Sequence, residues 1–203
     1  MLGPGLRPTA GRQARHARYF LGDPFLRFYY RFVAPNRSRI AQGLSDTLER
    51  QFAEQLRAFV GASFEELCRA WTLAQARAGG LPFSPDFVGS DWGPQHQADV
   101  AAVNWREHQA LIGEAKWADE PPDHKDWRLF VERAQRVVQR LKAADPANKP
   151  KREPAAWQLH LIVFARRGVT PALRAEAKKA QARVMTFAEM VRDLERLPEK
   201  LIR

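Results

Sequence analysis

Between Gln97 and Trp117 the chain reads QADVAAVNWREHQALIGEAKW, two short apolar runs joined by a tight polar connection. Runs of this length with a tight polar connection predict two strands forming a hairpin. Ahead of them, Leu48, Phe52, Leu56, Phe59 and Val60 recur at helical spacing over Ser45 to Val60, with Gly61 as the expected stop. GASFEELCRAW follows, where Ser63 and Glu66 have the S-x-x-E spacing of a capping box opening a second helix. Phe64, Leu67, Cys68 and Trp71 form its apolar stripe, and Glu65 lies beside that stripe without an evident structural task. AGGLPFSP reads as a loop, and DFVGSDWG as a strand entering a turn at Gly93-Pro94. After Pro121-Pro122, the residues Trp127, Phe130, Val131, Ala134, Val137, Val138 and Leu141 trace one face of a long helix to about Ala144, the opposite face being mostly Arg and Lys. ADPANKPKREPA is a basic loop, and WQLHLIVFA is the most apolar strand, as expected of one buried on both faces. A helix starting at Thr170-Pro171, a short strand around Val184 to Phe187 and a helix from Ala188 to Leu197 close the pattern. Helices separated by strands in this order predict an α/β fold, a sheet with helices on both faces.

The N-terminal region differs from this pattern. Met1 to Arg18 is rich in Gly, Pro and Arg without periodicity, which predicts a loose basic arm. DPFLRFYYRFV then starts a helix with Asp23 as N-cap and Pro24 at its first position. Its aromatic residues surround the axis, so packing on several sides is expected, and such residues at helical spacing are core more often than base-stacking groups. Residues 1–43 are accordingly expected to form a basic arm and aromatic helix, and residues 44–203 the α/β domain.

Charge changes the picture. The 203 residues carry 33 Lys and Arg against 23 Asp and Glu, a formal net charge of +10, and eight arginines precede residue 41 with only Asp23 opposing them. A polyanion is the default partner, nucleic acid ahead of a membrane surface, and Arg12, Arg15 and Arg18 are the arm residues expected to meet it. One cysteine, Cys68, excludes an intrachain disulfide and fits a reducing cytoplasm. No apolar run approaches a membrane span, and arginines interrupt any signal-peptide core. Neither a G-x-x-x-x-G-K-[ST] loop nor a G-x-G-x-x-G fingerprint occurs. The five histidines show no ligand spacing.

The candidate chemistry lies in the hairpin. On a strand, Glu114 and Lys116 share a face with Ile112. Setting them and Asp99 into apolar strands costs several kcal/mol unless they pair or meet a metal. The element order, with Asp99 followed by Glu114-Ala115-Lys116, resembles the PD-(D/E)XK nuclease superfamily. YFLGDPFLRFYYRFVAPNRS, GASFEELCRAW, GEAKW and FARRGVT resemble more closely the C-terminal domain of a family of archaeal and bacterial AAA-type ATPases. That resemblance runs from about Arg18 to the C-terminus; Ala98 stands at the superfamily's proline and Gln97 where close relatives often carry a second acid.

The resemblance implies a restriction-endonuclease-like core of order αβββαβ, a central mixed sheet flanked by helices, with an N-terminal helical arm that would be a winged-helix remnant. It implies metal-dependent phosphodiester hydrolysis in DNA, alongside an AAA-type ATPase that this chain lacks. Asp99, Glu114 and the Ala115 carbonyl would hold Mg²⁺ or Mn²⁺, Lys116 would orient the attacking water, and Glu65 would be a further ligand. The alternative is a catalytically silent nuclease-fold module in which Asp99, Glu114 and Lys116 are an ion-pair cluster and the basic arm docks on nucleic acid or an ATPase.

Overall fold

A computed structural model of the chain describes residues 2–5, 18–44, 46–92, 97–145 and 156–202. Near the N-terminus, β1 (Leu2–Gly5) pairs antiparallel with β2 (Arg18–Leu21), Leu2 opposite Leu21 and Gly5 opposite Arg18. The expected arm without regular structure is corrected to that extent. Cross-strand backbone hydrogen bonds, which leave no hydropathy period in so short a segment, define the pair. Arg18 belongs to β2, whereas Arg12 and Arg15 lie outside the described residues.

Helix α1 (Pro24–Phe28) starts as expected, with the Asp23 carboxylate accepting from the amides of Phe25 and Leu26 at 2.8 and 3.1 Å. The chain then widens into a π turn over Tyr29–Val33 and tightens into a 3₁₀ turn over Ala34–Asn36 before α2 (Arg37–Ala41). Phe32 alone of these aromatics is fully buried, against Phe52 and Phe59, while Phe25 and Tyr30 are 71% and 63% exposed. The expectation of packing on several sides is therefore corrected to one buried stripe.

The largest correction concerns α3, one helix of 33 residues from Asp46 to Ala78 in place of two. A glycine inside a helix costs only about 1 kcal/mol, and Gly61 sits where nothing crowds the backbone. The buried stripe of Phe64, Cys68 and Trp71 continues that of Leu48 and outweighs this cost. The capping box does not exist. Ser63 Oγ donates back to the Phe59 carbonyl at 3.0 Å, and Glu66 forms a bidentate ion pair with Arg27.

The five-stranded sheet has the order β3 (Phe87–Trp92), β4 (Gln97–Asn104), β5 (Gln109–Lys116), β6 (Gln158–Ala165), β7 (Arg183–Thr186). The first three strands are antiparallel neighbours, and β5, β6 and β7 run parallel. Antiparallel neighbours need only a short turn, supplied here by Trp105–His108; the parallel crossovers carry α4 (His124–Ala144) and α5 (Pro171–Lys179). The turn expected at Gly93-Pro94 and most of the basic loop before β6 lie outside the described residues. Helix α4 opens on a capping box between Asp123 and Asp126, α5 on Thr170, and α6 (Phe187–Arg196) on a box between Thr186 and Glu189. A last short helix, α7 (Glu199–Ile202), has no counterpart in the hydropathy pattern.

Alternation along the strands builds two cores. Ala101, Val103, Ala110, Ile112 and Val163 face α4 and α5, meeting Trp127, Phe130, Val137 and Leu141. Val100, Ala102, Leu111, Ile162 and Phe164 face α3 and α6, meeting Phe64, Cys68, Trp71 and Met190. Strand β6 contributes to both cores, as its sequence predicts, and its C-terminal half is the more buried. This is the mixed α/β sheet flanked by helices, with an N-terminal helical region, that the element order implies. Among the described residues, no helix is long and apolar enough to cross a membrane.

Candidate functional site

The hairpin opens at its charged end. The β4–β5 ladder runs from Asn104↔Gln109 to Val100↔Gly113, where Gly113 is required because a Cβ there would stand 2.9 Å from that of Val100. Beyond this rung the side chain of Asp99 takes over from its backbone, accepting the Ala115 amide at 2.9 Å. The Asp99 carbonyl in turn accepts from Arg69 Nη1 of α3 at 2.9 Å. A carboxylate is thus fixed in the mouth of the hairpin by the strand opposite, while the backbone oxygen is satisfied from the helix behind.

Glu114 and Lys116 share the α4 face, as their spacing predicts. Glu114 is buried, and its Oε1 accepts from Arg133 Nη2 at 2.7 Å and lies 3.2 Å from Lys116 Nζ. Lys116 also lies 3.5 Å from Asp126 Oδ1 in the first turn of α4. Asp126 is bound twice, since its other oxygen accepts the Asp123 amide at 3.0 Å in the capping box. An open cleft lined by Lys116, Pro122, Lys125, Asp126, Leu129 and Thr170 borders this cluster.

Two of the acids are held above their ordinary values, first of all by burial. Burial, and then repulsion from Glu114, pushes the Asp99 carboxyl up to about 6, against the pull of its backbone hydrogen bond. Burial, and then repulsion from Asp99, raises Glu65 to about 7, although its side chain keeps 39% of its surface open and Arg69 lies 3.8 Å away. Glu65, Asp99 and Glu114 are therefore within electrostatic reach of one another, and Lys116 joins them through Glu114. They do not form a cage: among the described residues, no group of three or more His, Cys, Asp or Glu side chains is placed to share one ion. Two hard carboxylates side by side, with repulsion that a cation would relieve, fit Mg²⁺ or Mn²⁺ completed by water. The Ala115 amide is committed to Asp99, and its side chain packs toward α3, so a ligand role for that residue would fall to its carbonyl.

Three site residues escape the sequence. Arg69 is one turn beyond Glu65, Asp126 is the third residue of a helix cap, and Arg133 is one of many cations on α4. A carboxylate three residues after Asp123 is a legible cap, but its second bond, to Lys116, is not. Arg133 precedes Ala134 at the border of the buried stripe, which signals only a side chain able to reach over the sheet.

Geometry defines an α/β domain with a paired-carboxylate, lysine-containing mouth at the open end of a β-hairpin. The chain belongs to a family described as archaeal and bacterial proteins of unknown function, the match covering residues 29–135 and hence Glu65, Asp99, Glu114 and Lys116. It is 29% identical over 111 residues to the uncharacterized protein MJECL04 of Methanocaldococcus jannaschii. That similarity covers 55% of this chain and spans about a quarter, 25%, of the relative's length. No solved structure matches.

Proposed function

We propose that this domain is a metal-dependent nuclease of the PD-(D/E)XK type, hydrolysing phosphodiester bonds in DNA. The observation that carries the reading is the placement of Asp99 and Glu114 beside each other in the hairpin mouth, with the Asp99 carboxyl raised by burial and then by that proximity, and the Lys116 ammonium 3.2 Å from Glu114. Asp99, Glu114 and the Ala115 carbonyl would hold the ion, and Glu65 on α3, not placed to share it directly, would act on it through a bound water. Mg²⁺ or Mn²⁺, when bound, supplies Lewis-acid polarisation of the phosphoryl oxygen and a more acidic water. Lys116 orients the water whose oxygen forms the new bond to phosphorus and steadies the charge that develops as the bond to the leaving alcohol breaks. The formal charge of +10 supports a nucleic-acid substrate, with Arg12, Arg15 and Arg18 meeting phosphate. The sequence resemblance is the support for an AAA-type ATPase as partner, and a single buried Cys68 suits the cytoplasm.

A second reading is favoured by a specific observation, the ion pairs from Arg133 and Lys116 on Glu114. On that reading the cluster is structural and the module binds nucleic acid or an ATPase without cutting. The test compares Lys116→Ala and Asp99→Ala on single-stranded, duplex and branched DNA with Mg²⁺ or Mn²⁺. The nuclease reading expects Lys116→Ala to abolish cleavage while keeping metal binding, and Asp99→Ala to abolish both. A folded, metal-supplied wild-type chain that is inert on the whole panel would establish the silent module instead.

A further inference from the structure

Glu114 Oε1 already has two cations on it. Arg133 Nη2 donates to it at 2.7 Å and Lys116 Nζ stands 3.2 Å away. A divalent cation taking this oxygen must displace one of them, and the two are not equally held. Lys116 has a second acid, Asp126, at 3.5 Å. Among the described residues no acid besides Glu114 lies within ion-pair distance of Arg133, although its charge also acts on Asp99, and its other bond is from Nε to the Leu129 carbonyl, one turn back, at 3.3 Å. Its side chain is 31% exposed, so leaving Glu114 does not strand a charge in the core. The Nε bond would keep the guanidinium at the rim while its two terminal nitrogens turn outward. A guanidinium so placed presents parallel donors matched to the oxygens of a phosphodiester, which a lysine could not present.

We infer that Arg133 is a phosphate-binding residue whose guanidinium is exchanged for the divalent cation on Glu114, so that cation entry arms the site for a phosphodiester. The inference rests on the reading of Asp99 and Glu114 as a cation site. It adds a role that cation binding alone does not require: the same event that places a metal on Glu114 releases a second positive group toward the substrate. It also assigns Glu114 two successive partners, a guanidinium and then a metal. The ammonium of Lys116 stays in place through the exchange, held by Asp126.

The experiment uses the full chain, with Arg133→Gln and Arg133→Lys, and reads binding without turnover. Calorimetric titration with Mn²⁺ alone should show Arg133→Gln binding the ion about fivefold more tightly than wild type, the scale of one partly exposed ion pair. Arg133→Lys, which keeps a competing charge, should stay near wild type. The second readout is anisotropy of a short labelled DNA duplex, titrated against salt in EDTA and in Ca²⁺. In Ca²⁺ the salt slope of Arg133→Gln should be shallower than wild type by roughly 0.9, one phosphate contact, and in EDTA the two should coincide. Arg133→Lys should weaken duplex binding in Ca²⁺ through loss of the fork; should the glutamine variant melt early, Arg133→Met, which also removes the charge, carries both readouts. Unchanged or weaker Mn²⁺ binding by Arg133→Gln would overturn the exchange. Equal salt slopes in Ca²⁺, or an equal deficit in both conditions, would overturn the coupling to phosphate. A wild type that takes up no Mn²⁺, indistinguishable from Asp99→Asn, would instead overturn the cation site on which the inference stands.

Discussion

Asp91 and Asp99 are buried aspartates on neighbouring strands, and an arginine reaches the residue in each case. Arg140 of α4 meets the Asp91 carboxylate with both ends of its fork, Nε donating at 3.0 Å to Oδ2 and Nη2 standing 2.6 Å from Oδ1. Arg69 of α3 meets Asp99 at the backbone carbonyl, leaving the carboxylate with the Ala115 amide as its donor and facing the repulsion of Glu114. The first arrangement matches charge with charge and ties the edge strand to the helix crossing it. The second leaves a buried acid raised by its burial and by the repulsion of Glu114. Burial alone therefore does not separate structural from functional carboxylates; what the arginine is bonded to does.

Asp91→Ala should have the largest effect, removing about 3–5 kcal/mol of stability by leaving the Arg140 guanidinium without its carboxylate, as measured by urea denaturation. Double substitution with Arg140→Met should recover much of that loss. At Asp99 the sign is opposite. A carboxyl whose folded value is raised to about 6 from an ordinary value near 3.8 stabilises the fold fully only below the ordinary value, and that contribution is lost as pH rises through about 6. Asp99→Asn should therefore stabilise the protein at pH 8 by up to about 3 kcal/mol, and the gain should fade as pH falls toward 4. Melting curves at the two pH values would decide it; a destabilised Asp99→Asn at pH 8 would place Asp99 with Asp91 as a structural acid. The smallest effect sharpens the contrast elsewhere on α3. Glu66→Ala should cost about 1 kcal/mol by removing the bidentate partner of Arg27, whereas Ser63→Ala should change stability by less than about 0.5 kcal/mol, since no helix starts there.

Much of this could be read from one dimension. The hairpin, α4 with its buried face, the doubly buried β6, the Asp23 and Thr170 caps and the α/β class follow from hydropathy period and local cap chemistry. Glu114 and Lys116 share a face because strand geometry demands it. Where reading failed, a local signal met a longer-range one. Gly61 and the S-x-x-E motif are ordinary helix boundaries, yet a buried stripe continuing across both made a single helix lower in free energy. The aromatic residues after Asp23 lie around the axis in the sequence, and which side is buried depends on where Phe52 and Phe59 of α3 stand.

The chain by itself therefore determined its elements and the strand positions of Asp99, Glu114 and Lys116, because backbone periodicity and capping act over a few residues. Only the tertiary structure decided where the hairpin ladder ends, that Arg69 serves a backbone oxygen and Arg140 a carboxylate, and that Arg133 and Lys116 converge on one oxygen of Glu114. The arginine assignments among them join residues 19 to 49 positions apart, as in Arg133 with Glu114 and Arg140 with Asp91. Electrostatic energy depends on distance in space and on burial, and neither quantity is written in the order of residues.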